Sequence, residues 1–262
     1  MTKQEIYNKH GILYDPKEEK INYHGTWIKE LLKEGNTKTG KRVYTWSMLP
    51  GTGSVEIIIN GILQEVFGTC ICDCEGCYAK TGRYTCDNVI ESNARNTVIV
   101  NEDLNFFYNA ISAQLEIIGS GEVRIHAAGD FNTKNPDEYA NTWKRIAIEN
   151  PSFLMWTYTK IRRFENLFDD VENANIVKSV IGGIGINYGH CDYIMKAYRK
   201  LKAMGARVWI CRCGIDKNQH CENCKHCGTY DFVLFLEHST SYNAKKDPLY
   251  SEFVKLVESQ ED

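Results

Sequence analysis

Eleven cysteines in 262 residues fall almost wholly into two short groups, and that grouping constrains the chain more than any other feature. Cys70, Cys72, Cys74, Cys77 and Cys86 form the first group, Cys211, Cys213, Cys221, Cys224 and Cys227 the second, and Cys191 stands alone. At about 4% of the chain (11 of 262), they fall below the roughly 8–10% at which a disulfide scaffold is expected. A chain of this length buries enough surface to fold without covalent staples. Residues 1–20 hold no apolar stretch of the kind a signal peptide needs. A reducing, cytoplasmic setting is therefore the expectation, and there clustered cysteines are metal ligands or catalysts.

The 43% hydrophobic and 25% charged content is that of a globular protein and excludes disorder or a collagen-like repeat. The longest apolar runs, such as 180–186, fall short of the roughly 18 residues of a membrane span. A net charge of −3 argues against a surface that grips nucleic acid throughout. Lys38, Lys41, Arg42, Tyr44 and Trp46 do mix cations with aromatics, as single-strand binders do, so nucleic acid is a possible but not favoured partner. Lys196, Arg199, Lys200 and Lys202 read as a solvated helix face.

Residues 1–50 read as a loosely structured N-terminal extension with a helix over 27–33. Residues 55–67 hold two β-rich runs around Asn60-Gly61, the strongest short-range signal for a type I′ hairpin. The chain then alternates, with helices over 101–118, 137–149, 164–173 and 192–204 and strands over 123–127, 153–158, 176–186, 207–211 and 232–237. Apolar positions three and four apart mark the helices, and Gly205 follows the last of them as a C-cap. Strands near 62, 125, 155, 182, 209 and 234 are spaced as βαβ units require. The fold class predicted is α/β, an open, partial (βα)6 barrel of TIM type over residues 51–240. Its parallel sheet would carry cysteine-rich metal loops at the C-terminal mouth, and residues 241–262 would add a terminal helix.

Cys70, Cys74 and Cys77 form a C-x3-C-x2-C set on one tight loop. Three such thiolates suit a 4Fe-4S cubane, which takes up to four cysteines, and leave one iron open when only three ligate. A structural zinc knot is the competing reading, although zinc sites usually pair cysteines across two loops. This trio after a first strand resembles the radical S-adenosylmethionine superfamily. The resemblance implies that the three cysteines hold a cubane whose fourth iron binds the methionine moiety of S-adenosylmethionine. It also implies reductive cleavage to a 5′-deoxyadenosyl radical, with the electron drawn from a partner such as flavodoxin or ferredoxin. The aromatic usual before the third cysteine is absent: Gly76 stands there and Tyr78 follows. Residues 38–50, 69–84, 124–131 and 156–160, with Cys221, Cys224 and Cys227, resemble the phage gene product 88 family over roughly 36–240. The insertion of 51–67 before the cysteines is longer than that resemblance implies.

Radical enzymes of this type carry a Gly-Gly-Glu-like stretch after the second strand, and Ala128-Gly129-Asp130 holds that place. Glycine there permits close backbone approach and a carboxylate can pair with an ammonium, so Ala128, Gly129 and Asp130 are candidate cofactor contacts, together with Tyr78. A plain turn into the next helix is the alternative. Gly183 and Gly185, in a glycine-rich strand end, are further candidates for close cofactor approach. Alternation places Val123, Ile125 and Ala127 on one face and Arg124, His126, Ala128 and Asp130 on the other, pointing inward. Function in parallel barrels gathers at the C-terminal strand ends, where Tyr158, Lys160, Asn187, Glu237 and His238 would lie. His126 and Lys160 are the candidate catalytic residues, with a satisfied core histidine the alternative for His126.

The second group holds C-x2-C-x2-C at Cys221, Cys224 and Cys227, the core spacing of bacterial ferredoxin clusters. Cys213 is the predicted fourth ligand and Cys211 the next choice, giving a second 4Fe-4S cluster. A zinc ribbon with His220 or His226 substituting is the alternative. The function expected is thus an iron–sulfur enzyme of radical S-adenosylmethionine type. Its rivals are an iron–sulfur redox protein that does not cleave that cofactor and a zinc-stapled nucleic-acid-binding phage protein.

Overall fold

The structure, a computed structural model, describes residues 1–35, 39–73, 77, 79, 81–181, 184–185, 188–212, 215–216, 219–236 and 243–260. Of the predicted site residues, Cys74, Tyr78, Gly183 and Cys213 lie outside the described residues, as do Asn187, Glu237 and His238.

The chain opens with α1 (Lys3–Lys9), where Thr2 and Glu5 form a reciprocal capping box. Strands β1 (Tyr14–Asp15), β2 (Lys20–Tyr23) and β3 (Thr26–Lys29) follow as an antiparallel meander. The helix expected over 27–33 is therefore a strand in its first part. His24 and Gly25, at φ 45° and 96°, turn the chain back, and Ile28 goes inward while Trp27 stays out. Nor is this segment loose, because Tyr7, Ile21, Tyr23 and Ile28 are buried in the main hydrophobic core.

Next come β4 (Lys33–Glu34), β5 (Val43–Ser47), β6 (Ser54–Ile59) and β7 (Ile62–Phe67). β6 and β7 pair antiparallel around Asn60 and Gly61, both at positive φ (51° and 75°), as a type I′ turn demands. Then follow α2 (Asp87–Glu102), α3 (Leu104–Ile118), β8 (Gly121–Ala128), α4 (Pro136–Glu149), β9 (Phe153–Thr159) and β10 (Ala174–Lys178). Asp103 separates α2 from α3, its carboxylate accepting from the Phe106 amide at 2.8 Å. The helix expected over 164–173 is not formed: a 3-10 turn over Arg162–Phe164 is followed by turns up to β10. The remainder is β11 (Val180–Ile181), β12 (Ile184–Gly185), β13 (Tyr188–Gly189), α5 (Cys191–Ala203), β14 (Val208–Ile210), α6 (Cys221–Cys224), β15 (Phe232–Leu236) and α7 (Tyr250–Glu258).

These strands do not form one parallel sheet, and the predicted (βα)6 barrel is corrected to a mixed α/β arrangement of several separate sheets. The largest runs β10-β9-β8-β5-β4, with its first four strands parallel and β4 antiparallel at the edge. A second, parallel sheet runs β13-β15-β14, while β11-β12 and β6-β7 are antiparallel pairs. Two features explain the difference. The strand near 62 belongs to a locally paired hairpin, and the place beside β8 is taken by β5, whose Val-Tyr-Thr-Trp-Ser sequence lacks a long apolar run. The apolar stretch 176–186 is divided between β10 and the short β11-β12 pair.

The large sheet is covered on both faces. Val123, Ile125, Met155, Ile176 and Trp46 join residues of α2, α3 and α4, such as Val98, Phe107 and Trp143, in one core. On the other face Val43, Trp156 and Val177 meet Trp209 of β14, Val233 of β15 and three cysteines of the second group. Among the described residues no helix is long and apolar enough to cross a membrane.

Candidate metal centres

The first cysteine loop begins where β5 ends. The Met48 amide donates to the Ala128 carbonyl (3.0 Å), which continues the β5–β8 pairing one step past Ser47. From Pro50 the chain leaves for the hairpin and returns at Gly68, whose missing Cβ would lie 2.2 Å from the Gly51 carbonyl oxygen. The insertion is closed at its base: the Gly68 amide donates to Gly53 O (2.8 Å), Thr69 to Leu49 O (2.8 Å) and Cys70 to Gly51 O (3.1 Å). Thr69 thus resumes where Leu49 stopped, and Cys70 follows β5 in space although the hairpin separates them in sequence. Two polar side chains buried on α2 hold the same turn. Asn96 donates to Ser47 O (2.8 Å), and the Leu49 amide donates to the Thr97 hydroxyl (3.0 Å).

Thr69 also fastens the loop to the end of β8. Its hydroxyl accepts from the Asp130 amide (3.1 Å) and donates to Leu49 O (3.1 Å), while its carbonyl accepts from the Asn132 amide (3.2 Å). Gly129 stands at φ 86°, and a Cβ there would lie 2.6 Å from the Thr69 hydroxyl. The close approach this glycine permits is therefore made by the protein's own threonine. Ala128 is buried beside it. Asp130, 5% exposed, accepts from the Phe131 amide (2.8 Å), the Thr159 hydroxyl (2.7 Å) and the Lys160 amide (3.0 Å). Burial raises its pKa and these donors pull it back down, leaving it above the ordinary carboxylate value. The ends of β5, β8 and β9 and the start of the cysteine loop are thus one hydrogen-bonded unit. Cys70 and Cys77 are half-buried, whereas Cys72 and Cys86 are exposed.

His126 departs from the expected alternation. Its φ is 55°, and β8 uses five residues, Arg124 to Ala128, against three on β5, Thr45 to Ser47. This bulge turns His126 to the helix side of the sheet, away from the Arg124 face. Its ring meets Phe131 edge-on (4.5 Å), with Nε2 2.8 Å from the Tyr139 hydroxyl and Nδ1 3.1 Å from the Thr157 hydroxyl. Trp46 Nε1 donates to the same Tyr139 hydroxyl at 2.8 Å. Burial without an anionic partner drives the imidazole pKa down to about 3, so the ring is neutral. The inward polar set predicted from period two is split, because Arg124 lies on the opposite face over the Tyr158 ring (5.6 Å).

The second group lies against that opposite face. Cys211 directly follows β14, its amide donating to Leu234 O (2.8 Å). Cys221 and Cys224 share the single turn of α6, and Lys225 (φ 55°) reverses the chain into the 3-10 turn His226–Gly228 that carries Cys227. Cys211, Cys221 and Cys227 pack on the Trp156–Trp209–Val233 cluster, and the Tyr158 hydroxyl lies 2.9 Å from Cys227 Sγ. Asn175 of β10 donates to both Cys227 O and Tyr230 O (2.9 Å each). His226 lies tilted against Trp209, ring centroids 3.8 Å apart, and Gly228 leaves room for Leu154, which a Cβ would meet at 2.5 Å. Glu222 reaches back to the segment before β5, its carboxylate accepting from the Arg42 amide (3.3 Å).

Burial pushes the Cys227 thiol up to about 12. The Tyr158 bond and Arg124 pull it down, and the neighbouring Cys221 and Cys224 push it further up. These sulfurs thus sit close enough to feel one another's charge, half-buried beside a cation, and His220 Nδ1 is a buried nitrogen without a partner in the same loop. A sulfur-rich donor set of this kind fits a thiophilic metal. The structure places Cys211, the second choice for a fourth ligand, inside this cluster. Among the described residues no three such groups stand in the arrangement of an ion site. The aromatics of the Lys41–Trp46 segment are committed elsewhere, Trp46 to Tyr139 and Tyr44 to the space above Gly121.

Thr69 and Thr159 stand in the sequence only as members of the family-like motifs, with no site role, and Asn96 and Thr97 carry no mark at all. The available signal was a hydroxyl residue directly before the first cysteine and a threonine two places beyond Thr157.

The model of a protein family described as gene product 88 matches residues 30–238. No curated protein and no solved structure matches the chain.

Proposed function

The chain belongs to the gene product 88 family, and within that family we propose that it is an iron–sulfur enzyme of the radical S-adenosylmethionine type. The observation that carries this reading is the Thr69–Asp130–Thr159 unit, which seats the first cysteine loop at the C-terminal ends of three adjacent parallel strands. Open α/β sheets bind ligands outside that edge. In this reading Cys70, Cys74 and Cys77 hold a 4Fe-4S cluster. When bound, such a cluster supplies the electron that cleaves S-adenosylmethionine and starts radical chemistry.

The chain's own residues shape the place where this happens. Gly129 and Thr69 fix the height of the cysteine loop above β8. Asp130, with both oxygens accepting from protein donors, ties the β9 end to the same rim. Lys160, next to Thr159 on that rim, is the proposed proton-handling residue. His126 is neutral and buried beneath, and it holds Tyr139 and β9 in register. Tyr78, Gly183 and Gly185 are the remaining proposed cofactor contacts.

The test is reduction with dithionite in the presence of S-adenosylmethionine, using protein reconstituted anaerobically with iron and sulfide. Formation of 5′-deoxyadenosine or methionine, lost on Cys70→Ala, is the expected result. An iron-loaded protein that forms neither would leave the redox-protein reading and remove this one. For the second group alone, zinc is a second reading, favoured by the partnerless His220 Nδ1 beside Cys221 and Cys224 on one helical turn.

A further inference from the structure

We propose that Tyr158 is a positioning residue for the second cysteine group, its hydroxyl donating to the Cys227 thiolate and so fixing that ligand on the metal. The inference rests on reading the second group as a metal site.

Tyr158 and Thr159 are consecutive on β9 and point to opposite faces. Thr159 serves Asp130 and the first cysteine loop, while the Tyr158 hydroxyl reaches Cys227 Sγ at 2.9 Å. In a thiol–phenol pair either group can donate, but a metal-bound thiolate has no proton and can only accept. Metal binding would therefore fix Tyr158 as the donor. Neighbouring side chains hold the phenol in place, since its ring meets Phe235 edge-on at 5.8 Å and Arg124 lies over it at 5.6 Å. Arg124 brings positive charge to a cluster of thiolates that would carry negative charge when loaded. From the other side Asn175 fixes the Cys227 carbonyl. Cys227 is thereby gripped at both its backbone and its sulfur, whereas Cys221 and Cys224 ride on one helical turn.

Hydrogen bonds of this outer shell typically change metal affinity by about 10–100-fold, and those to cluster sulfurs also set the reduction potential. The test uses the full chain. Tyr158→Phe keeps the ring and removes only the hydroxyl, so the metal-free variant, short of one hydrogen bond, should still fold and melt within a few degrees of the wild type. Loaded with metal, it should lose the second-site ion to a chelator about tenfold faster or more. With iron bound, its second centre should reduce at a lower potential. Incorporation of 3-fluorotyrosine at position 158, a stronger donor of nearly the same shape, should move the potential the opposite way.

Unchanged metal retention and potential in Tyr158→Phe would overturn the proposal. So would a large loss of melting temperature in the metal-free variant joined to no response in the fluorinated protein, which would make Tyr158 a packing residue only. Metal analysis of the wild type and of Cys224→Ala, made first, separates this outcome from failure of the site itself. If removing Cys224 releases no metal, there is no second centre for Tyr158 to support.

Discussion

Replacing Thr69 by valine removes one oxygen and keeps nearly the same shape. Two hydrogen bonds go with that oxygen, one from the Asp130 amide (3.1 Å) and one to Leu49 O (3.1 Å). Leu49 O keeps the Thr69 amide as a donor at 2.8 Å, so its loss is small. The Asp130 amide is buried with no replacement, and stranding such a group costs about 1–3 kcal/mol. Taking about 2 kcal/mol, and about 2–4 °C per kcal/mol for a chain of this size, the melting temperature should fall by about 4–8 °C. Thr69→Ser keeps the oxygen and should cost less than about 1 kcal/mol. Urea denaturation of the metal-free proteins measures both, and the slope should stay constant while the midpoint shifts. The first centre should also release metal more readily in the valine variant. If serine and valine cost the same, or valine costs under about 0.5 kcal/mol, the hydroxyl does not hold the loop and the reasoning fails.

Two glycines at positive φ separate conformation from packing. Gly61→Ala, with open space around its Cβ, should cost about 1 kcal/mol, whereas Gly129→Ala, whose Cβ would meet Thr69 and Met48, should cost about 2–4 kcal/mol. Equal denaturation midpoints would refute the close approach. His126 should make the protein acid-sensitive: its folded pKa of about 3 lies below its unfolded value near 6.5, so the folded state binds fewer protons. The stability it contributes is complete above pH 6.5 and is lost as pH falls, by about 3 kcal/mol by pH 4.5. Asp130, its pKa raised by burial, acts in the opposite sense, so the difference between wild type and His126→Gln across pH 4.5–6.5 isolates the imidazole. A wild type and variant with parallel pH profiles would contradict a neutral, buried ring.

What could be read in the sequence was what local physics decides. The Asn60-Gly61 turn, the amphipathic α4 and α5, Gly205 after α5 and the apolar β8 and β9 all follow from spacing or turn chemistry. What could not be read depended on partners distant in the chain. α2 carries Asn93, Asn96 and Thr97 at buried positions, so its pattern reads as polar, yet Asn96 and Thr97 both bond to the β5 turn. β5 is short and mixed in polarity, and only its pairing with β8 makes it a central strand. The bulge at His126 broke a period-two pattern that otherwise held for Val123 to Ile125. Of the candidate site, the two cysteine groups and Asp130 were visible from spacing. The threonines that join them were not, because a hydroxyl's partner is fixed by the fold and not by its neighbours in sequence.

Whether the cysteine groups hold iron–sulfur clusters, as proposed, is decided by metal and acid-labile sulfide analysis of anaerobically purified protein. The expected result is a brown protein with about eight irons and matching sulfide per chain, two cubanes' worth. Cys70→Ala should remove about half of that iron and Cys224→Ala the other half. A colourless protein with zinc alone, or with no metal at all, would contradict it.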